Sequence, residues 1–287
     1  REYMAKPWTE KLVDVRSEDG LLLEGAVIAP ADGTKQPIPV VWTHGLTGRF
    51  YAPSSLNIGR ELASRGFTFV TGNNRGHDFG ALFTQANGEQ LIAGGAWEHV
   101  DESPRDIAAW LGFAVGLGFS SVALLGHSLG ALKVAYYQAQ RQDPRVAGLI
   151  AASPPTRAGR VDSELLARAK QMVAEGRGRD LLPWGSRTTG GGTMSADAYL
   201  NRMETNVDVY GDHTPDPAVA RIRCPILAFY GTNEEWVGGA ADLETIKRNA
   251  AAAPRVTTHL FPGADHSYTG QHVAVARVIA EWVTSLG

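Results

Sequence analysis

Apolar and polar positions alternate early in the chain. Val13 and Val15 stand between polar neighbours, Asp19-Gly20 is a turn dipeptide, and residues 21–28 form a second apolar run. A period of two on both sides of a turn predicts an opening β-hairpin. The pattern then changes, with short apolar runs at 39–42, 67–70, 122–125 and 147–150 separated by segments of helical period. Strands that are apolar on both faces and alternate with helices specify a parallel sheet with crossover helices. The closing part repeats the rhythm: a strand over 226–230, a helix over 240–252, a strand over 256–261 and a last helix over 272–286.

Before the run at 122–125, Ser103, Pro104 and Asp106 have the spacing of N-cap, first-turn proline and capping-box acid, followed by Ile107, Trp110, Leu111 and Ala114 on one helix face. Asp106 is therefore expected to cap that helix. After Ser153-Pro154-Pro155 the rhythm breaks off for roughly 65 residues, longer than an ordinary crossover. Within the break, Leu165, Leu166, Ala169, Met172 and Val173 predict one helix from near Asp162 to Gly176, and Tyr199, Leu200 and Met203 predict another after Ser195, with Gly190-Gly191-Gly192 between them. The expected organisation is a core made of 1–154 and 221–287 with a helical cap over 155–220. Leu181, Leu182, Trp184, Met194, Tyr199 and Met203 suit either a pocket for a medium-sized acyl or aromatic group or the packing of the cap itself.

Composition narrows the functional classes. With 287 residues, 44% of them hydrophobic, the chain has apolar content for one large core, and a single α/β domain with an insertion fits that length. The formal net charge is -3 with Lys and Arg dispersed, which argues against nucleic acid and anionic membrane surfaces as partners. Cys224 is the one cysteine, so an intramolecular disulfide is excluded, and its place at the start of the apolar run 224–230 predicts a reduced strand residue. No run approaches the ~20 apolar residues of a membrane span, and Arg1 to Lys6 lack the apolar stretch of a signal peptide. The expected location is the cytoplasm, with monomer and homodimer both open.

The chemistry centres on Gly126-His127-Ser128-Leu129-Gly130, which follows an apolar strand and leads into the helical stretch 131–137. That is the strand–turn–helix context of a nucleophile elbow, in which small residues two positions either side let the serine stand exposed above the sheet. A serine hydroxyl needs a neutral imidazole to take its proton and a carboxylate behind it to fix the tautomer. Of eight histidines, His44 and His127 lie in glycine-rich turns, His77 and His99 precede the nucleophile in loops, His213 falls in the insertion, His259 in a strand and His272 at the start of the last helix, whereas His266 lies in the loop that follows the last strand. A carboxylate leaves the sheet edge after residue 230 at Glu234, with Glu235 as its direct competitor; Asp265 and Asp242 are expected to be a loop residue and a helix-face acid. The backbone N–H of Leu129 supplies one oxyanion donor, and the loop Thr43-His44-Gly45-Leu46-Thr47-Gly48 supplies the second, Leu46 ahead of Thr47. His44 is expected to organise that loop by hydrogen bonds.

These residues, together with Asn74-Arg75-Gly76-His77, Gly231-x-x-Glu234 and Asp265-His266, resemble the α/β-hydrolase superfamily over nearly the whole chain. The resemblance implies an α/β-hydrolase fold with eight mostly parallel strands flanked by helices, a Ser–acid–His triad of Ser128, Glu234 and His266, and a cap inserted after the sixth strand. It implies no cofactor and no metal. Many members carry Asp where Glu234 stands, and the loop at Gly45 is similar to the single-glycine oxyanion type, which implies unhindered substrates. The stretches 43–51 and 126–137 are similar to bacterial esterases and fungal siderophore-esterase-like hydrolases. The implied activity is hydrolysis of small-molecule carboxylic esters through an acyl-enzyme. Acyl transfer, cleavage of thioesters, lactones, amides or C–C bonds, and a non-catalytic ligand-binding homologue are the alternatives. Dehalogenase and epoxide hydrolase chemistry would need Asp at position 128.

Overall fold

The hairpin opens the chain: β1 (Trp8–Arg16) and β2 (Leu22–Pro30) run antiparallel, with Trp8 opposite Pro30 and Arg16 opposite Leu22. The computed structural model describes residues 7–156, 161–183, 193–205, 208–211, 214–234 and 237–287. In chain order there follow β3 (Val40–Thr43), α1 (Pro53–Ala63), β4 (Phe69–Gly72), β5 (Ala81–Thr84), β6 (Gln90–Ala93), α2 (Ser103–Gly116), β7 (Val122–His127), α3 (Leu129–Arg141) and β8 (Val146–Ala152). The second half carries α4 (Ser163–Ala174), α5 (Ala196–Glu204), β9 (Ile226–Gly231), α6 (Ala240–Asn249), β10 (Val256–Phe261) and α7 (His272–Thr284).

Eight strands form one sheet in the order β1-β2-β4-β3-β7-β8-β9-β10. β2 pairs antiparallel with β4, and from β4 to β10 all neighbours are parallel. This is an α/β-hydrolase fold. The period of two along each strand divides the core into two layers. Val41, Val122 and Leu124 face Ile107 and Trp110 of α2, Leu132 and Ala135 of α3 and Ile246 of α6. Val40, Trp42, Ala123 and Leu125 face Ile58 and Leu62 of α1 and Val275, Ile279 and Val283 of α7. The small antiparallel pair β5–β6 stands apart from the main sheet; its strands are mostly exposed or half-buried and lack the buried apolar run that marks β3 and β4. No helix among the described residues is long and apolar enough to cross a membrane.

The two helices after β8 begin where the capping residues predict. The Asp162 carboxylate accepts from Leu165 N–H at 3.0 Å, and Ser195 Oγ from Ala198 N–H at 3.3 Å. Leu182, Met194 and Tyr199 are buried with Leu165, Ala169 and Met172 in a small cluster of their own, whereas Leu181 is exposed. Trp184, His213 and Gly190 to Gly192 lie outside the described residues. The segment is tied to the β5–β6 side of the molecule by Ser195 N–H to Ala96 O (2.7 Å), Trp97 Nε1–H to Arg179 O (2.9 Å) and Val100 N–H to the Asn201 amide oxygen (2.8 Å).

Asp106 does not cap α2. Its carboxylate is fully buried and takes the backbone N–H of Arg75 at 2.8 Å and the guanidinium of Arg75 at 2.8 to 3.3 Å. A first-turn acid suits a cap and a buried partner equally; here an arginine 31 residues earlier, on the loop after β4, won. Arg75 also reaches Glu102 at 2.8 Å and Asp19 at 2.9 Å, so one side chain joins the hairpin turn, the β4 loop and α2. Breaking a buried pair from one side leaves an uncompensated charge. Asp106→Ala is expected to lower the unfolding free energy by about 3–5 kcal/mol, measured by urea denaturation, and Arg75→Met with Asp106→Leu to recover most of it.

Candidate active site

Ser128 connects β7 to α3 with φ +56° and ψ −127°, a conformation that L-residues rarely hold. Ser128 N–H bonds to Ala152 O at 2.9 Å, and Ser128 O accepts from Ala131 N–H at 2.8 Å. The flanking glycines are forced by close approach: a Cβ on Gly126 would lie 2.1 Å from Gly130 O, and one on Gly130 would lie 2.2 Å from Thr43 O. Between β3 and β7 the strand order reverses, β4 being added on one side and β8 on the other. In such sheets the crevice at the carboxyl ends of the two strands is where ligands bind.

The loop after β3 lies directly on this turn. A Cβ on Gly45 would be 2.8 Å from Ser128 Cβ and 3.2 Å from Leu129 N, and Leu46 and Thr47 follow in a turn closed by Gly48 N–H to Gly45 O at 3.1 Å. His44 organises it, as expected: its Nδ1–H donates to Gly45 O (2.8 Å) while Nε2 accepts from Asn74 N–H (3.0 Å). Burial, with the charge of Lys133 second, pushes the His44 imidazole down to about 3, so it stays neutral. Asn74 donates its amide to His44 O at 3.2 Å and accepts from Lys133 Nζ at 3.1 Å. Lys133, wholly buried on α3, is in turn paired with the buried carboxylate of Glu98. The apolar neighbours of Lys133 at 131–135 were the only sign in the sequence that this lysine points inward.

On the other side, His266 Nδ1–H donates to Glu234 Oε2 at 2.7 Å. Glu234 is fully buried beyond the end of β9. Its second oxygen accepts from Ser153 Oγ at 2.6 Å and from the Gly231 N–H. Ser153, at the end of β8, shares a 2.5 Å hydrogen bond with the Tyr268 hydroxyl. Sequence reasoning missed both residues, since nothing local marks a serine after an apolar run as the partner of a carboxylate 81 residues later. His127 joins the two halves: its Nε2–H donates to His266 O at 2.7 Å, its ring lies 4.7 Å from that of His266, and it stacks on Trp42. Burial pushes His127 down to about 3.

The structure thus gathers Ser128 and Leu129 against the loop carrying Leu46, bonds Glu234 to His266, and fastens the His266 loop to the residue before Ser128. Glu235 lies outside the described residues. Asp265 accepts from the N–H groups of Ser267 and Thr269 in its own loop, and Asp242 accepts from Gly239 N–H at the start of α6. An imidazole committed through Nδ1 to a carboxylate exchanges protons at Nε2.

A model of the alpha/beta hydrolase family matches residues 40–278. No curated protein matches the chain. Among solved structures, Est1E from Butyrivibrio proteoclasticus with ferulic acid bound has a TM-score of 0.69 at 19% identity, covering 95% of this chain and 98% of that one. A Paleococcus ferrophilus monoacylglycerol lipase gives 0.63 at 20% identity over 98% and 99% of the two chains. A soluble variant of Saccharomyces cerevisiae monoglyceride lipase, in complex with a substrate analogue, gives 0.68 at 15% identity over 100% and 99%. Likeness at these identities is a likeness of fold.

His44 and His127 make stability depend on pH. Both are held neutral in the fold, while in the unfolded chain each takes up a proton near 6.5. Their contribution is complete above about 6.5 and is lost as pH falls toward 3, so at pH 5 each costs about 2 kcal/mol relative to pH 8. Urea midpoints at the two pH values test this: His127→Gln should show a pH-dependent loss about 2 kcal/mol smaller than wild type.

Proposed function

The chain belongs to the alpha/beta hydrolase family, and we propose that it is a serine hydrolase that cleaves small-molecule carboxylic esters through an acyl-enzyme. The observation that carries this reading is the 2.7 Å bond between His266 and the buried Glu234, in a loop fastened to the neighbour of a serine in a strained turn. Ser128 Oγ attacks the ester carbonyl carbon while its proton passes to His266 Nε2. Glu234 holds the imidazole by Nδ1 and stabilises the imidazolium. The carbonyl oxygen becomes an oxyanion held by the N–H groups of Leu46 and Leu129, the latter in the first turn of α3, where the helix dipole favours negative charge. Collapse of the tetrahedral intermediate expels the alcohol, which takes the proton back from His266. Water then attacks the acyl-enzyme by the same route, and the acid leaves with Ser128 restored.

Segment 155–220 acts in this reading as a cap over the carboxyl ends of the strands, supported by its bonds to Ala96 and Val100 and by its separate apolar cluster. Est1E binds ferulic acid, a carboxylic acid of the kind that ester hydrolysis releases, and the yeast monoglyceride lipase binds a substrate analogue; both proteins share this fold, which supports an ester as substrate. The buried thiol of Cys224, outside any disulfide, fits a reducing cytoplasm.

The test is a panel of p-nitrophenyl esters and lactones with fluorophosphonate labelling alongside. Wild type should turn over esters and take the label, Ser128→Ala should do neither, and Glu234→Gln should lower kcat by about 10⁴-fold. A wild-type protein that neither labels nor hydrolyses any ester overturns the reading.

A further inference from the structure

Ser128 is not the only strained residue near the site. Ser153 has φ +48° and Tyr268 φ +55°, and both are fully buried. Left-handed backbone at a non-glycine residue persists only when the surroundings enforce it. Here Ser153 N–H is bonded to Phe229 O at 2.8 Å and Tyr268 N–H to Asp265 O at 3.0 Å. The two strained positions bring their hydroxyls onto one line. Ser153 Oγ has a single proton and donates it to Glu234 Oε1 at 2.6 Å, so the 2.5 Å contact is a bond from the Tyr268 phenol to Ser153 Oγ. The result is a directed chain in which Tyr268 donates to Ser153, Ser153 to Glu234, and His266 to the opposite oxygen of the same carboxylate.

We propose that Ser153 and Tyr268 are positioning residues that hold the Glu234 carboxylate and draw part of its charge away from His266, thereby setting the pH at which His266 serves as a base. The proposal rests on the serine-hydrolase reading for its catalytic meaning. Glu234 Oε1 already accepts from the Gly231 N–H, so the serine supplies the bond to its remaining lone pair. Linked donors polarise one another, and a buried carboxylate deprived of one concentrates its charge on the partner left. Burial, and then the charge of Glu234, hold the proton on Tyr268 far above the ordinary phenol range, so the chain keeps its direction. The other groups bearing on this pair are His127 from β7, held neutral by burial, Tyr230 from β9, which donates to Pro154 O, and Asp265, tied into its own loop.

Ser153→Gly is the decisive variant, because glycine suits the left-handed backbone and the hydroxyl is lost with the rest of this small side chain. Tyr268→Phe removes the first donor. With a p-nitrophenyl ester, Ser153→Gly should lower kcat about 10–100-fold with KM changed less than about 3-fold. Its acid limb of kcat/KM should move up by about half to one pH unit. Tyr268→Phe should move both in the same direction by less, and the double variant should be no worse than Ser153→Gly alone, since the phenol acts through the serine. The titration of His266, followed by NMR of ¹³C-labelled histidine, should shift upward in parallel. A folded Ser153→Gly protein whose acid limb and histidine titration both stay at the wild-type values overturns the proposal. Should wild type turn over no ester, the NMR titration still decides: a shift upholds the hydroxyl chain while the ester reading falls, and no shift removes both.

Discussion

At one point the backbone leaves no room for a side chain: the turn from β7 into α3 brings Gly130 against the carbonyl of Thr43 at the end of β3, and Gly126 against Gly130. That approach dictates more than two glycines. It forces the serine between them into positive φ, sets the first turn of α3 at the carboxyl edge of the sheet, and brings the loop at Gly45 down onto Leu129. The backbone of Leu129 and of the loop at Gly45 is therefore held in place by packing, not by a flexible side chain. Preorganisation of this kind needs no rearrangement when charge develops.

The remaining parts are hung from other strand ends and locked to that turn. Glu234 lies beyond β9, His266 beyond β10 and Ser153 at the end of β8, and His127, one residue before the serine, reaches across to the His266 carbonyl. Adjacent parallel strands ending at one edge bring residues that are distant in sequence within hydrogen-bonding reach.

The strands, most of the helices and the glycine-flanked serine were legible in the sequence because their signals are local: a period of two, a period of 3.6, a turn dipeptide, small residues at fixed offsets. The meeting of Glu234 with His266 was legible from chain order along the sheet. What escaped was of another kind. Asp106 was read as a cap because its partner Arg75 is 31 residues away and leaves no local trace. Ser153 and Tyr268 matter through backbone angles and through a carboxylate on another strand, and neither the sign of φ nor a contact of sequence separation 81 is written in the residues around them. The β5–β6 pair escaped because its strands are mostly exposed or half-buried and so carry no buried apolar run like those of the equally short β3 and β4.

The pair of Lys133 and Glu98 beneath the loop at His44 carries a consequence on an evolutionary scale. Both charges are shut away from water, so losing either leaves the other in the interior at a cost of about 3–5 kcal/mol, a large share of the stability of a typical domain. Gly76 closes the space as well, since a Cβ there would lie 2.2 Å from the Glu98 carboxylate. Positions 76, 98 and 133 are thereby coupled, and a change at one is felt at the other two. A descendant of this chain that exchanges one of the three is expected to carry a compensating change at another, together with a new support for the loop at His44.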